Sequence, residues 1–329
     1  MTIPAAMRGL QQTSLRGPQD LVLVDNLRVP TPGPGEVLVR VIAAGINVAD
    51  LSQAHGTFLG GPQPPYIAGF EGAGEIVQLG EGVEGFELGT HVIGVGYGAF
   101  AEYMVLPARA ALLLPPGWSD AQALGLVVNL PTAVATLKLG GIAPGQTVLI
   151  HAAAGATGQA TTRIAKHYGA TVIATASPSK HAVVEALGAD YVLDSHHADI
   201  AAEVSRITGG TGVDLVLETA GGATLEASLA SARRITGRVV VSGLPGGNAS
   251  LSNWDLVYRH QVHIIGFNMG MLIRATPALF GEVMGELFAL IAAGVIAPGN
   301  PTLYPLADGP SALAALENRT SVGKLGLRP

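Results

Sequence analysis

From residue 147 onward, short apolar runs alternate with segments of helical period. The runs at 147–151, 171–175, 191–194, 213–218, 238–242 and 262–266 predict strands. The intervening segments 158–168, 179–187, 198–207 and 223–233 predict helices. Strands that read as continuous apolar runs, with helices between them, imply a parallel sheet covered on both faces. Six such strands make a complete dinucleotide-binding sheet, so this part of the chain is α/β. Before residue 119 the pattern differs. Residues 20–45 alternate like antiparallel strands, with Leu21–Val24 and Val37–Val41 separated by a turn-rich stretch, Pro30–Glu36. Residues 66–106 continue as short strands broken by glycines, as in Gly74–Val77 and His91–Gly94. This predicts an all-β, barrel-like domain. Near 119 the pattern changes again. Ser119–Leu124 predicts a helix, and Pro131-Thr132-Ala133 starts another. Residues 277–293 read as an amphipathic helix, and Val322–Leu327 as a strand that returns to the first domain. The expected boundaries are 1–126 with 270–329 for the first domain, and 127–269 for the second.

The first βαβ unit carries candidate chemistry. Thr147–His151 is followed by the small-residue turn Ala153-Ala154-Gly155-Ala156-Thr157-Gly158, then a helical run to Tyr168 and a stop at Gly169. A turn of small residues lets the backbone approach a dinucleotide pyrophosphate, and the helix start offers N–H groups and a positive dipole end to it. The spacing is Ala153-x-Gly155-x-x-Gly158, so alanine replaces the first glycine of the usual pattern. An NAD site places an acid about 20 residues past the glycines. Here the second strand ends in Ala174-Thr175-Ala176-Ser177-Pro178-Ser179-Lys180, with a hydroxyl and an ammonium instead. Ser177 and Lys180 suit a 2′-phosphate, so NADPH is the expected cofactor. Ser-Pro-Ser would also cap the next helix, and both roles are compatible.

Composition narrows the class. The 329 residues are 48% hydrophobic and only 13% charged, which argues against disorder. A net charge of −6 and no basic run argue against nucleic-acid binding. The longest uncharged apolar run, Leu287–Ala297, is too short to span a bilayer. The N-terminal residues lack a continuous apolar signal core. No cysteine is present, which excludes disulfides and thiolate metal sites. A soluble, cytoplasmic enzyme is expected, with neither membrane nor nucleic acid as partner.

Several separated segments carry a resemblance. Pro34–Val39 resembles a PGEVLV strand, Ala44–Asp50 a GINxxD segment, and Gly69–Gly74 a GxEGAG segment. Ala153–Gly158 resembles AAxGGVG, Leu187–Asp190 resembles LGAD, and Ser321–Lys324 resembles a closing GK strand. In this order they resemble the medium-chain dehydrogenase/reductase superfamily, which implies a GroES-like β-barrel domain and a Rossmann doubly wound, six-stranded parallel sheet. Within it the chain is similar to the zinc-free quinone oxidoreductases, the zeta-crystallin-like branch. Zinc-dependent members have cysteine where Asn47 lies and histidine where Phe70 lies, so no metal site is implied. The pairs His196-His197 and His260-x-x-His263 do not rebuild one.

The resemblance implies a set of site residues. Asn47 would lie near the nicotinamide, its amide donating to a substrate carbonyl; a turn-forming role is the alternative. Thr132 would also approach the nicotinamide, with helix capping as an equal competitor. Gly155, Ala156 and Thr157 would take the pyrophosphate, Ser177 and Lys180 the 2′-phosphate, and Thr219 the adenosine side. Gly243, Leu244, Phe267 and Asn268 follow later strands and would complete the cofactor site. Lys324, with Arg319, matches a basic C-terminal pattern, although a solvated strand edge would explain it equally. Two departures stand out. Ala156 and Thr157 replace the Gly-Val of the family turn, which crowds the phosphate. Phe58 stands where a tyrosine proton donor is common, in a Gly/Pro-rich run, 56–65, expected to form a lip. The implied reaction is hydride transfer from NADPH to a quinone. Reduction of the double bond of an α,β-unsaturated ketone, aldehyde or enoyl thioester is the alternative. An NADPH-binding protein without efficient turnover is a third reading. The resemblance and the apolar strand 262–267 also imply a homodimer.

Overall fold

The computed structural model describes residues 3–329. The chain divides into two compact units, one comprising the chain up to Val127 together with Pro298–Pro329, the other Val128–Ala297. The first unit begins with β1 (Ala6–Gln12), β2 (Leu21–Arg28), β3 (Glu36–Ile46), α1 (Val48–Ala54) and β4 (Tyr66–Ile67). It continues through β5 (Glu71–Leu79), β6 (His91–Val95), β7 (Tyr103–Pro107) and β8 (Ala111–Leu113). The second unit runs α2 (Asn129–Leu139), β9 (Thr147–Ile150), α3 (Ala156–His167), β10 (Thr171–Ala176), α4 (His181–Ala186), β11 (Tyr191–Asp194) and α5 (Ile200–Ile207). It then adds β12 (Leu215–Glu218), α6 (Ala223–Ser231), β13 (Arg238–Val241), β14 (His263–Gly266), α7 (Met269–Ala275) and α8 (Pro277–Ala292). The chain returns to the first unit with β15 (Thr302–Pro305), α9 (Gly309–Glu317) and β16 (Leu325–Arg328).

The first unit holds a sheet of order β2-β1-β4 and a larger one of order β15-β16-β3-β5-β6-β8, with β7 also paired to β3. Strand β3 is its axis. Alternate side chains leave a strand on opposite faces. Accordingly Val37, Val39 and Val41 enter a core with Ile76, Val92 and Phe100. Leu38 enters a smaller one with Met7, Val29 and Ala101. Strand β3 pairs antiparallel with β16 through Gly45↔Gly326 and with β5 through Gly45↔Glu71. The ends of three strands distant in sequence are thereby brought together.

The second unit has the expected sheet, all parallel, of order β11-β10-β9-β12-β13-β14. Each of the six strands lies within two residues of its predicted bounds. Leu149, Ile173, Val216 and Val239 are fully buried against Val204 and Leu229. The strand order reverses between β9 and β12, the position where ligands bind such sheets, beyond the strands' carboxyl ends.

Three features differ from the sequence reading. Residues 270–297 belong to the second unit, not the first. Helix α8 buries Val283, Leu287 and Leu290, and its Glu282 and Glu286 reach Lys138 of α2 at 3.4 Å. Ser119–Leu124 forms turns instead of a helix. Its run is cut by Gly125, whose φ of 98° is left-handed and whose N–H is drawn onto the Glu71 carboxylate at 2.5 Å. Third, Thr132 is the fourth residue of α2, which begins at Asn129. Strand β14 pairs with β13 alone and leaves Ile264 exposed, the edge on which two copies were expected to pair. Among the described residues no single helix is long and apolar enough to cross a membrane; α7 and α8 reach that length only jointly, across a 119° bend.

Candidate functional site

The turn between β9 and α3 is shaped by close approaches. A Cβ on Gly158 would lie 2.4 Å from the Ala152 carbonyl oxygen and 2.6 Å from Ala153 Cα, so only glycine lets α3 start so near the strand. Gly155 is different. Its φ of −78° suits any residue, and a Cβ there would meet only the Ala152 oxygen at 3.4 Å. Neither backbone nor packing demands glycine at 155; the bare main chain there leaves room for a phosphate to approach. The left-handed position falls on Ala152, at φ 51°, where a non-glycine residue costs about 1–2 kcal/mol. The first amide of this turn to bond back within the helix is Gln159 N–H, to the Gly155 oxygen at 2.9 Å. The preceding amides of the helix start face outward for an anion. The turn fits a pyrophosphate.

The other expected cofactor residues take these places. Ser177 precedes a short turn, Pro178–Lys180, and its hydroxyl makes no capping bond. Lys180 is partly buried, which pulls its ammonium below the usual lysine value. Thr219 follows β12, its hydroxyl 3.4 Å from the His151 carbonyl oxygen. Gly243 follows β13 and passes so close that a Cβ would lie 2.1 Å from the Thr219 oxygen. Leu244 is exposed, Phe267 N–H donates to the Val241 oxygen, and Asn268 caps α7 by accepting from Met271 N–H at 2.9 Å. The Thr132 hydroxyl donates to the Val128 oxygen at 2.6 Å, one helical turn back, instead of projecting a proton from the helix start.

Three supports were not read from the sequence. His151 is buried, between Thr175 Oγ1 at 3.1 Å and Ser228 Oγ at 3.0 Å. The Ser228 hydroxyl donates to the Thr224 oxygen, so His151 Nε2–H donates to Ser228 and Nδ1 accepts from Thr175. Burial holds this imidazole neutral and lowers its pKa to about 4. Glu218, buried at the end of β12, accepts the N–H groups of Ala220 and Gly221 at 2.8–3.0 Å. Desolvation raises its pKa. Asn129 Nδ2 donates to Thr157 Oγ1 at 3.2 Å. His151 and Asn129 act across chain segments, which no local motif reveals, while Glu218 acts within its own turn.

In the first unit, Asn47 caps α1 at the end of β3, with its backbone N–H on Asp50 Oδ2 at 2.8 Å. Its amide is buried and engaged. Nδ2 donates to Glu71 Oε2 at 2.8 Å and to the Gly45 oxygen at 3.2 Å, while Oδ1 accepts from Lys324 Nζ at 2.7 Å. Lys324 also reaches Glu71 Oε2 at 2.6 Å and the Ile46 oxygen at 3.1 Å. Its side chain is only 9% exposed, so it is a buried ion-pair partner and not a solvated strand edge. A Cβ at Gly45 would lie 2.2 Å from Glu71 Oε2, so the carboxylate needs this glycine beside it. Asp50 is buried, with Oδ1 unbonded among the described residues. Desolvation raises its pKa to about 7 against the pull of the Asn47 N–H and Lys324; Glu71 adds to the rise. Tyr66 stands near, and burial, with Asp50, raises its phenol to about 12. Phe58 and Leu59 are exposed in the 56–65 run.

Comparison with known proteins gives these relations. Residues 156–286 match the family described as zinc-binding dehydrogenase, and residues 33–116 the alcohol dehydrogenase GroES-like domain. The phthioceranic/hydroxyphthioceranic acid synthase of Mycobacterium tuberculosis (strain ATCC 25618 / H37Rv) is 33% identical over 321 residues, or 95% of this chain. This chain spans 15% of that protein's length. The synaptic vesicle membrane protein VAT-1 homolog of Rattus norvegicus is 31% identical, over 91% of this chain and 78% of its own. A mycobacterial structure complexed with NADPH has a TM-score of 0.90 at 31% identity, covering 98% of this chain and 100% of that one. The quinone oxidoreductase of Pseudomonas syringae pv. Tomato DC3000 follows at 0.89, also 31% identical, with the same coverage. The CurK enoyl reductase has a TM-score of 0.86 at 28% identity, covering 98% and 99%. This chain belongs to the medium-chain dehydrogenase/reductase superfamily.

As a superfamily member it lacks the residues of a zinc site. Among the described residues no group of three or more His, Cys, Asp or Glu could hold a metal ion. Where zinc-dependent members of the superfamily carry ligands, this chain has the engaged amide of Asn47 and the ring of Phe70.

The cluster makes two predictions. Removing one partner of a buried ion pair costs about 3–5 kcal/mol, because the other charge stays buried. Lys324→Met should lower stability in urea by about that amount and leave nucleotide affinity nearly unchanged. Lost affinity at unchanged stability would put Lys324 on the cofactor instead. Asp50 gives a pH signature. Its folded pKa lies above the unfolded value, so ionisation penalises the native state as pH rises from about 4 to 7. Asn cannot ionise and still accepts the Asn47 N–H. The Tm gained by Asp50→Asn should therefore be larger at pH 8 than at pH 5; an equal difference at both would show that Asp50 does not titrate there.

Proposed function

We propose that the protein is an NADPH-dependent, zinc-independent oxidoreductase that reduces a quinone. The cofactor is NADPH. Gly155 and the amides at the start of α3 take its pyrophosphate, and Ser177 and Lys180 take its 2′-phosphate. Thr219, Gly243, Leu244, Phe267 and Asn268 line the path of the nucleotide beyond the strand ends, and Thr132 is proposed beside the nicotinamide. When bound, NADPH supplies a hydride from its nicotinamide ring.

The observation that carries the quinone reading is that the two side chains expected beside the reacting centre have already given their protons. Asn47 gives its amide protons to Glu71 and Gly45, and Thr132 gives its hydroxyl proton to Val128. Asn47 then serves by fixing Lys324 and Glu71, not by offering a proton. A quinone suits a protein whose donors are engaged in this way. Its reduction is driven by the aromatic product, and it needs orientation and dryness more than an acid. Hydride and one proton from water together give the hydroquinone.

The relatives supply the specific observation behind a second reading. A synthase at 33% identity and the CurK enoyl reductase at 28% favour reduction of an enone or enoyl thioester. There the hydride would go to the β-carbon and a proton to the α-carbon. NADPH oxidation followed with a panel of quinones, enones and enoyl thioesters separates the readings. Turnover with quinones is expected. Turnover confined to enoyl substrates would establish the second reading, and tight NADPH binding without turnover on any acceptor would mark a cofactor-binding protein.

Lys180→Ala tests the cofactor choice. A charge-assisted bond to phosphate contributes about 1.5–3 kcal/mol, or roughly tenfold and more in affinity. The substitution should weaken NADPH at least tenfold while sparing NADH. Equal loss for both would remove the 2′-phosphate role.

A further inference from the structure

The pyrophosphate turn of this chain differs from its family's by a hydroxyl. Thr157, the second residue of α3, stands where the family pattern has valine. Most neighbouring helix threonines return their hydroxyl proton to a carbonyl one turn back. Thr132 donates to Val128, Thr136 to Thr132, Thr161 to Thr157 and Thr162 to Gly158, all at 2.6–2.9 Å. Thr157 does not. Its Oγ1 receives Asn129 Nδ2 at 3.2 Å. An amide nitrogen can only donate, so the Thr157 oxygen is an acceptor in this bond and keeps its own proton. Among the described residues that proton has no acceptor. The hydroxyl sits at the helix start beside Gly155, whose Cβ side is open.

We propose that Asn129 orients the Thr157 hydroxyl so that it donates to a pyrophosphate oxygen of the bound nucleotide. Thr157 is then a binding residue with a side-chain contact of its own, and Asn129, at the first position of α2, is its positioning residue. The inference rests on the NADPH reading above but not on the identity of the acceptor. It also offsets the crowding brought by Ala156, since a donor compensates a less open turn.

The pyrophosphate is common to NADPH and NADH, so this contact carries a signature that Lys180 does not share. Titration calorimetry of both nucleotides against wild type, Thr157→Val, Asn129→Ala and the double variant tests it. Thr157→Val restores the family residue and preserves volume, so the fold should persist, with Tm as the check. It should weaken both nucleotides by a similar factor, about tenfold, as expected for one bond to a charged group. Asn129→Ala should weaken both in wild type but add little in the Thr157→Val background. Unchanged affinity in Thr157→Val overturns the proposal, as does full additivity of the two substitutions. A loss confined to NADPH assigns the effect to the 2′-phosphate and overturns it as well. Wild-type protein that binds neither nucleotide overturns the cofactor reading itself, an outcome distinct from all of these.

Discussion

The buried pair of Lys324 and Glu71 is the constraint on which the first unit depends. The two residues are 253 apart in sequence, yet their charged atoms meet at 2.6 Å with Asn47 between them. Both charges are out of water, and such a pair persists only when its remaining lone pairs and protons are satisfied. Each need is met by an element of the fold. Strand β3 ends in Asn47 and passes Gly45 under the carboxylate. Gly125 turns its amide onto the other carboxylate oxygen, and β16 brings Lys324 back from the far end of the chain. The cluster therefore ties an early strand, a turn at the edge of the unit and the C-terminal segment into one structure. One of its members, Asn47, stands at a position where the superfamily's zinc-dependent members have cysteine.

The second unit rests on a different constraint, the close approach of α3 to β9. Gly158 permits it, and the helix start then aims its amides past the strand ends. His151 bonds Thr175 and Ser228 through its two ring nitrogens, Glu218 holds the N–H groups of Ala220 and Gly221, and Asn129 donates to Thr157. The neutral state of His151 belongs to this role: a charged imidazole could not accept from Thr175 and would lose that bond. These loops are thus held by buried polar networks, which are costly when half satisfied and rigid when complete.

Much of this was legible in the chain. The six parallel strands were visible because strands buried on both faces read as unbroken apolar runs. The tight turn between β9 and α3 was visible because close approach demands small residues in sequence. The absence of zinc ligands followed from Asn47, Phe70 and the lack of cysteine. What escaped the sequence was everything decided by a distant partner. Ser119–Leu124 has helical character locally, but Gly125 is pulled away by Glu71. Residues 270–297 join the second unit because α8 finds an apolar face and a lysine on α2. The resemblance implies an Asn47 amide free to donate to a substrate carbonyl, and only its neighbours show both protons already given. Lys324 fits a solvated strand edge or the family's basic C-terminal pattern equally well until β16 is placed beside β3. Periodicity and backbone demands are local and are written in order along the chain. Hydrogen-bond partners and buried charges are set by which strand lies next to which, and that is decided only when the whole chain folds.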